Sequence, residues 1–173
     1  MRTPSAVLFV CALSITTSGC ASGPRWTTHV AMPDERAAID AVLDDWHAAA
    51  AASDLERYMR HISDQGVFLG TDATERWTKD QFRAYATRPF SERRGWSMRS
   101  TRRAVMVRGD VAFFDEDLDA VNLGAARGSG VLVRDGGRWQ IAQYNLAITV
   151  PNERFEEVRT LLSGRANPPA NAQ

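Results

Sequence analysis

Apolar residues recur at helical spacing in the first part of the chain that has a folded pattern. Four of them fall on one helix face, at intervals of three and four residues: Ile39, Val42, Leu43 and Trp46. Asp34 and Glu35 precede this face, where carboxylates stabilise the positive end of a helix dipole. The pattern therefore predicts a helix that begins at Asp34 and continues through the alanine run at 48–52.

A capping-box spacing, in which the first and fourth residues can satisfy each other's backbone amides, occurs twice. It is present at Ser53–Glu56 and again at Thr78–Gln81. The first occurrence predicts a helix to about Arg60. The second predicts a helix to about Thr87, because Pro89 lacks the amide hydrogen that a helix interior needs.

The second half of the chain changes from helical to strand-like patterning. After a short apolar run at 67–69, longer runs separated by turn residues predict four consecutive strands, at 96–107, 111–120, 127–134 and 138–150. Antiparallel pairing is the simplest arrangement for strands in this order. Pro151 then begins a final predicted helix, whose apolar face consists of Phe155, Val158, Leu161 and Leu162.

Basic and acidic residues occupy matching positions on the first two of these long strands. A turn at Gly109–Asp110 would bring two groups face to face, Arg99, Arg102 and Arg103 on one strand and Asp115, Glu116, Asp117 and Asp119 on the other. Opposite charges facing each other across strands stabilise a sheet by roughly 0.2–1 kcal/mol per pair. We therefore interpret the acidic run as a set of ladder partners rather than as a metal or catalytic cluster.

The first 19 residues have the organisation of an export signal. Arg2 supplies a positive end, and the apolar stretch 6–15 is too short to span a bilayer as a stable helix. Small residues then precede Cys20, an arrangement that resembles the lipobox of bacterial lipoproteins, with Thr17 where leucine is usual. The resemblance implies that Cys20 is acylated and becomes the mature N-terminus. The alternative is an ordinary secretory signal that is cleaved nearby.

These features divide the chain into a signal peptide at 1–19, an acylated cysteine and tether at 20–33, a domain at 34–162 and a disordered tail at 163–173. The mature protein is expected to be anchored to a membrane on the periplasmic side, or to be secreted if Cys20 is not acylated. Because Cys11 lies in the removed segment, no intramolecular disulfide is expected.

The charge balance argues against one class of partner. The chain has 21 Lys and Arg residues and 21 Asp and Glu residues, so its formal net charge is zero. A domain of this kind lacks the basic surface that nucleic-acid binding requires, and no nucleic-acid partner is expected.

Two stretches carry a resemblance to a known family. ASDLERYMRHISDQGVFLGTDATERWTKDQF and the closing GSGVLVRDGGRWQIAQYNLAITVP resemble the SnoaL-like branch of the nuclear transport factor 2-like superfamily, over about residues 34–162. The resemblance implies an α+β fold in which a cone-shaped, curved antiparallel sheet wraps round three N-terminal helices and is followed by a C-terminal helix. In this superfamily the sheet and helices leave a cavity. Relatives include isomerases, polyketide cyclases, dehydratases and proteins with no known reaction, so the resemblance defines the fold better than the function.

Ketosteroid isomerase, one such relative, uses an Asp base and an oxyanion hole made by a Tyr and a protonated Asp. Carried over to this chain, its tyrosine falls on Trp46, whose indole can donate a hydrogen bond but is not a phenol. Its base falls near Gly70, two residues before Asp72. Steroid isomerisation is therefore disfavoured, and general-base chemistry at Asp72 remains open.

Asp72 and Glu75 are three residues apart, so on one helical turn their side chains would point the same way. In a cavity mouth such a pair would split its pKa values and supply one base and one acid. The structural alternative is that Asp72 caps a single turn while Glu75 reaches back to it, an arrangement that needs no ligand.

Other polar and aromatic residues are candidates for ligand binding. Trp77 follows the two acids and is expected to line a pocket, while Trp46, His47, Tyr144 and Asn145 are candidate pocket donors. Tyr144 and Asn145 are adjacent in a predicted strand, so one should face the cavity and the other should face away.

No metal site or cofactor is expected. The His–Asp pairs at Asp44–His47 and His61–Asp64 lack the spacing of established metal motifs. No serine occupies a GxSxG elbow, so nucleophilic catalysis is not indicated either.

The sequence therefore favours an exported, lipid-anchored domain that binds a small apolar or amphipathic molecule, or that serves as an accessory module. A first alternative is an enzyme of isomerase or lyase type that transfers protons without a cofactor, with Asp72 as base and Glu75 as acid. A second alternative is a non-catalytic dimerisation module, because an open curved sheet of this kind commonly buries one face against a second copy. A homodimer is expected in any case.

Overall fold

The computed structural model describes residues 28–164; the predicted signal peptide, Cys20 and the last nine residues of the predicted tail lie outside this range. The helices are α1 (Pro33–Ala51), α2 (Leu55–Met59), α3 (Lys79–Ser91) and α4 (Phe155–Leu162), with a 3₁₀ turn at Asn152–Arg154 before α4. The strands are β1 (His29–Val30), β2 (Ile62–Leu69), β3 (Arg76–Thr78), β4 (Met98–Arg108), β5 (Val111–Ala120), β6 (Gly124–Asp135) and β7 (Arg138–Ile148).

The strands form one curved, unclosed sheet with the order β1-β4-β5-β6-β7-β2-β3. β4 to β7 follow one another as antiparallel neighbours, helices α1 and α3 pack on the inner face, and α2 packs against both of these helices. The predicted α+β fold, a curved sheet round three N-terminal helices with a C-terminal helix, is confirmed.

One pair of strands departs from the antiparallel pattern. β2 runs parallel to β7, with Phe68 opposite Tyr144 and a register shift between Ile62 and Val67. The sequence predicted β2 only at 67–69, because the polar residues before Val67 hide the first half of the strand. The parallel pair places the end of β2 beside the end of β7.

The predicted charge ladder between β4 and β5 is confirmed. Arg99 pairs in register with Asp119, and Arg102 pairs with Asp117. In both pairs the guanidinium donates a hydrogen bond to the facing carboxylate, over 3.0 Å and 2.7 Å respectively. These two pairs are exposed, so each is expected to contribute little on its own.

Helix α3 ends later than the sequence predicted. Thr78 and Gln81 form the expected capping box, but the helix continues through Pro89 to Ser91. Phe90 explains the extension, because its ring is buried and packs 4.9 Å from Trp96 and 5.4 Å from Tyr58, measured between ring centroids. Packing of the last turn outweighs the hydrogen bond that Pro89 cannot make.

Helix α4 forms as predicted but packs differently from the other helices. None of its residues is buried, and Phe155, Leu161 and Leu162 are 61%, 69% and 84% exposed. Its apolar face therefore meets solvent in the isolated chain. No helix within residues 28–164 is both long enough and apolar enough to cross a bilayer.

Candidate functional site

A cavity of about 260 Å³ opens between helix α3, the parallel ends of β2 and β7, and the start of β4. Aromatic side chains form much of its wall: Phe68, Trp77, Phe82, Tyr85 and Trp96. Drug-sized ligands occupy pockets of roughly 300–1,000 Å³, so this cavity suits a smaller molecule.

Strand pairing and helix spacing together bring four of these rings into one wall. Phe68 and Trp77 are direct partners across β2 and β3, and Phe82 and Tyr85 are one helical turn apart on α3. The rings are nearly parallel, with centroid distances of 4.0 Å for Phe68–Phe82 and 4.6 Å for Trp77–Tyr85. Such pairs contribute about 0.5–1.5 kcal/mol beyond the burial of their area.

Trp96 completes the aromatic wall from the segment that leads into β4. Its ring centroid lies 5.8 Å from Phe82 and 6.4 Å from Tyr85. Gly95, directly before it, packs against helix α1: its amide donates a hydrogen bond to Ser53 Oγ, and a Cβ at this position would overlap the Ala50 carbonyl oxygen. The glycine thus allows the chain to approach α1 and to place Trp96 at the cavity.

The opposite side of the cavity is mostly aliphatic, with a few polar groups. The aliphatic and small lining residues are Met98, Ala120, Leu123 and Leu146, and the neutral polar ones are Thr71, Ser97 and Asn122. A mainly apolar pocket with a few polar groups is the usual composition of a small-molecule site.

Among the lining residues that the structure describes, Glu75 is the one carboxylate. Its Oε2 accepts a hydrogen bond from the Asp72 amide over 3.2 Å. The side chain folds back over Gly70, where an added Cβ would overlap Oε2. Gly70 is therefore required for the carboxylate to occupy this position at the cavity.

Asp72 lies outside the cavity lining and is exposed. Its Oδ1 accepts hydrogen bonds from the amide and the hydroxyl of Thr74, over 2.8 Å and 2.5 Å. The bond from the Thr74 hydroxyl has the larger effect and the bond from the Thr74 amide the smaller, and both lower the pKa of Asp72. This is expected for a carboxylate that closes a turn. The expectation that Asp72 faces the cavity is wrong, because the chain turns sharply after Gly70 instead of continuing as a strand.

A second polar group, separate from the cavity lining, is centred on Glu116. This carboxylate has no exposed surface, and its Oε1 lies 2.7 Å from His47 Nε2 and accepts a hydrogen bond from the Tyr144 hydroxyl over 3.2 Å. Arg103 donates from Nε and Nη2 to Oε2 over 3.0 Å and 2.8 Å. Both carboxylate oxygens are thus satisfied inside the core.

These partners decide the ionisation of the buried groups. Burial raises the pKa of Glu116, but the hydrogen bonds and charges of His47 and Arg103 outweigh it and hold the pKa below its ordinary value of 4.5. Burial raises the pKa of the Tyr144 phenol well above its ordinary value, and the negative charge of Glu116 raises it further. Glu116 is therefore a carboxylate and Tyr144 a neutral donor at neutral pH.

The predicted ligand-binding residues divide between the cavity and the core. Trp77 lines the cavity, as expected. His47 and Tyr144 bind Glu116 instead, and Trp46 is buried between Tyr58 and Tyr144, at centroid distances of 4.8 Å and 4.6 Å. None of these three lines the cavity.

Asn145 is half-buried and follows the buried Tyr144 on β7, so it lies on the outer face of the sheet. The expectation that Tyr144 and Asn145 take opposite faces therefore holds, although the inward member contacts Glu116 rather than the cavity.

His61 lies 2.6 Å from Asp45 Oδ2 rather than beside Asp64. Within residues 28–164, no three His, Cys, Asp or Glu side chains are grouped as a metal site.

Sequence reasoning missed four aromatic residues of the cavity: Phe68, Phe82, Tyr85 and Trp96. The spacing of Phe82 and Tyr85 puts both rings on one face of a predicted helix, which was an available signal. Trp96 gave no local signal, since its place depends on the contact between Gly95 and helix α1.

The fold and family agree with the resemblance read from the sequence. The family model for the SnoaL-like domain matches residues 39–151. Among curated proteins, none matches this chain.

Solved structures share the fold at low sequence identity. A protein of unknown function with a cystatin-like fold from Nostoc punctiforme PCC 73102 is 16% identical, with a TM-score of 0.61 over 70% of this chain and 96% of that chain. An NTF2-like protein of unknown function from Pseudomonas putida KT2440 is 16% identical, with a TM-score of 0.60 over 72% and 93%.

A cystatin-like fold protein from Burkholderia xenovorans LB400 is 20% identical, with a TM-score of 0.58 over 72% of this chain and 100% of that chain. At these identities the structural likeness shows the fold alone. The family model covers most of the described domain, and the sheet and helices have the arrangement of that fold. The chain belongs to the SnoaL-like domain family and has the NTF2-like fold.

Proposed function

We propose that this domain binds a small molecule in the cavity between α3 and the sheet. The observation that supports the proposal most directly is the lining itself: five aromatic rings and one carboxylate surround about 260 Å³ of open space. The fold is one that supports small-molecule binding or isomerase-type chemistry. Of the two we favour binding, because Asp72, the expected base, lies outside the cavity lining.

The exposure of the rings gives further support. Phe68 and Phe82 are buried at the inner end of the wall, whereas Tyr85 is 51% exposed and Trp77 and Trp96 are half-buried. Large aromatic side chains are stabilised by burial, so a group of them left partly open forms a surface that a ligand can cover.

Native mass spectrometry of the purified domain tests the proposal. We expect a small molecule to copurify with the wild-type protein or to be taken up from a library of small aromatic and aliphatic compounds. Ala120→Leu places extra carbon atoms inside the cavity and should abolish uptake. Ala147→Leu makes the same change on the exposed face of β7, one residue after the lining residue Leu146, and should leave uptake unchanged. Equal uptake by the two variants would contradict the proposal.

We further propose that the domain is carried by an exported, membrane-anchored lipoprotein on the periplasmic side. Support comes from the sequence, in which an apolar stretch and three small residues precede Cys20. Mass spectrometry of the mature N-terminus should find an acylated Cys20 in the wild type. A mature N-terminus without a lipid would rule out the lipid at Cys20 and would support the ordinary signal.

A further inference from the structure

The charge around the cavity is one-sided. Of the side chains that line it within residues 28–164, Glu75 is acidic, and none is Lys, Arg or His. An anionic ligand would find no positive partner there, and the Glu75 carboxylate would repel its charge. The lining therefore favours a ligand with a positive charge, or one with no charge.

The aromatic residues distinguish between these two possibilities. The rings near the opening are Trp77, Tyr85 and Trp96, and Trp and Tyr are the side chains whose π faces attract cations most strongly. The two Phe rings lie deeper, where plain apolar contact is sufficient. A purely neutral apolar ligand would not need this division between the opening and the inner end.

The carboxylate is hydrogen-bonded to the backbone rather than carried on a free side chain. Its Oε2 accepts a hydrogen bond from the Asp72 amide, and the backbone at Gly70 leaves space for the folded-back side chain. Glu75 also directly precedes β3, whose Trp77 belongs to the opening of the cavity. The acid and the rings thus belong to the same short segment.

From these observations we propose that the ligand is a small organic cation, with its ammonium or other cationic group placed between Glu75 and the Trp77, Tyr85 and Trp96 rings. This inference rests on the proposed function, since it names the chemical class that the same cavity would bind. A group of Trp and Tyr rings beside one carboxylate is an arrangement that recognises substituted ammonium groups.

The test compares choline with dimethylbutanol, its neutral isostere, in which a quaternary carbon replaces the nitrogen. Binding is followed by tryptophan fluorescence and by the indole N–H signals of Trp77 and Trp96 in NMR spectra. We expect choline to bind the wild-type protein about tenfold more tightly than dimethylbutanol.

Two variants locate the source of that preference. Glu75→Gln removes the charge but keeps an oxygen that can accept the Asp72 amide hydrogen bond, so the preference for choline should fall well below tenfold while dimethylbutanol still binds. Asp72→Asn is the matched control, because it removes a nearby charge that lies outside the cavity and keeps the acceptor for Thr74. The preference should remain in that variant.

The possible results separate the two proposals. If dimethylbutanol or a neutral aromatic probe such as indole binds in the cavity as tightly as choline or more tightly, the cation proposal is wrong and small-molecule binding stands. An unchanged tenfold preference in Glu75→Gln would overturn the placement of the cationic group beside Glu75. If none of these probes binds to the wild-type protein, the cation proposal is overturned, and the mass-spectrometric comparison then decides the proposed function by itself.

Discussion

At the scale of single residues, Glu116 explains how a carboxylate is tolerated in the centre of the core. Its two oxygens accept hydrogen bonds from His47, Tyr144 and Arg103, and Arg103 also donates to Asp40 over 2.9 Å. Removing one partner of a buried pair leaves the other charge unpaired, which costs roughly 3–5 kcal/mol. The network is therefore expected to hold the core in one arrangement.

The first prediction concerns the pH dependence of stability. Because the pKa of Glu116 is below its ordinary value of 4.5 in the folded protein, its stabilising effect is present above pH 4.5 and is lost as the pH falls through the folded-state pKa. Glu116→Gln should lower the free energy of unfolding by about 3 kcal/mol at neutral pH. Urea denaturation at neutral pH and at about pH 4 should show a smaller loss on acidification for the variant than for the wild type. Equal losses would mean that Glu116 does not titrate as described.

A second prediction couples Gly128 to Tyr144. A Cβ added at Gly128 would overlap the Tyr144 hydroxyl oxygen and lie 3.0 Å from Glu116 Oε1, so Gly128→Ala should be destabilising. Tyr144→Phe alone removes one hydrogen bond to a charged group and should cost about 2 kcal/mol. Tyr144→Phe also removes the oxygen that the Cβ added in Gly128→Ala would overlap, so part of the clash is relieved in the double variant. The double variant should therefore lose less free energy of unfolding than the two single variants lose together. Additive free energies of unfolding would contradict the predicted contact.

At the scale of secondary-structure elements, helix α1 is joined to the sheet along a single face. Asp40, Asp44 and His47 are spaced four and three residues apart, so they lie on the same side of the helix. Asp40 and Asp44 contact Arg103 on β4, and His47 contacts Glu116 on β5. This polar face, together with the buried Trp46, fixes the helix against the strands on which the cavity depends.

Helix α4 gives the third prediction. Because none of its residues is buried, removing residues 151–173 should change the free energy of unfolding of the domain by less than about 1 kcal/mol. Thermal and urea denaturation of the shortened and full-length mature proteins would measure this. A large loss of stability would show that the apolar face of α4 packs on the domain or on a second copy in solution.

The sequence predicted elements well where patterning alone determines them. β5 was predicted at the residues where it forms, because turn residues lie directly before it and shortly after it. The predicted end of α3 was wrong because the burial of Phe90, which extends the helix, depends on tertiary contacts. The predicted position of Glu116 in the charge ladder was correct, but its burial was missed. Phe114 and Leu118, two residues to either side, lie on the same face of the strand and already indicated that Glu116 points inward.

The cavity was only partly predictable for a related reason. Glu75 and Trp77 were identified because they lie in one short segment with an unusual composition. The rest of the lining comes from α3, from the segment before β4 and from the ends of β5 and β7, which are distant in sequence. Their meeting depends on the parallel β2–β7 pair, and local patterning gave no signal for it.

At the scale of the whole molecule, the outer face of the sheet leaves a fourth prediction. Met106 and Phe113 are direct partners across β4 and β5 and are 47% and 45% exposed, and Val131 lies beside Phe113 on β6. We propose that a second copy of the chain covers this apolar patch, so that the protein forms the homodimer expected from the sequence.

Light scattering after size-exclusion chromatography would measure the effect. The wild type should be a dimer and Phe113→Asp a monomer, because a charge would be buried without a partner at the interface. Val121→Asp is a suitable control, since Val121 is also an exposed apolar residue but lies in the turn after β5. A monomeric wild type, or dissociation by the control alone, would rule out this interface.

The central claim is that the cavity beside α3 binds a small molecule, and the tryptophan indoles test it most directly. Trp77 and Trp96 line the cavity, whereas Trp46 and Trp139 are buried in the core away from it. When the mature domain is titrated with small aromatic and ammonium compounds, NMR spectra should show saturable shifts of the Trp77 and Trp96 indole signals, with those of Trp46 and Trp139 unchanged. If no compound shifts the first pair, or if all four signals move together, the cavity is not the binding site and the proposed function is contradicted.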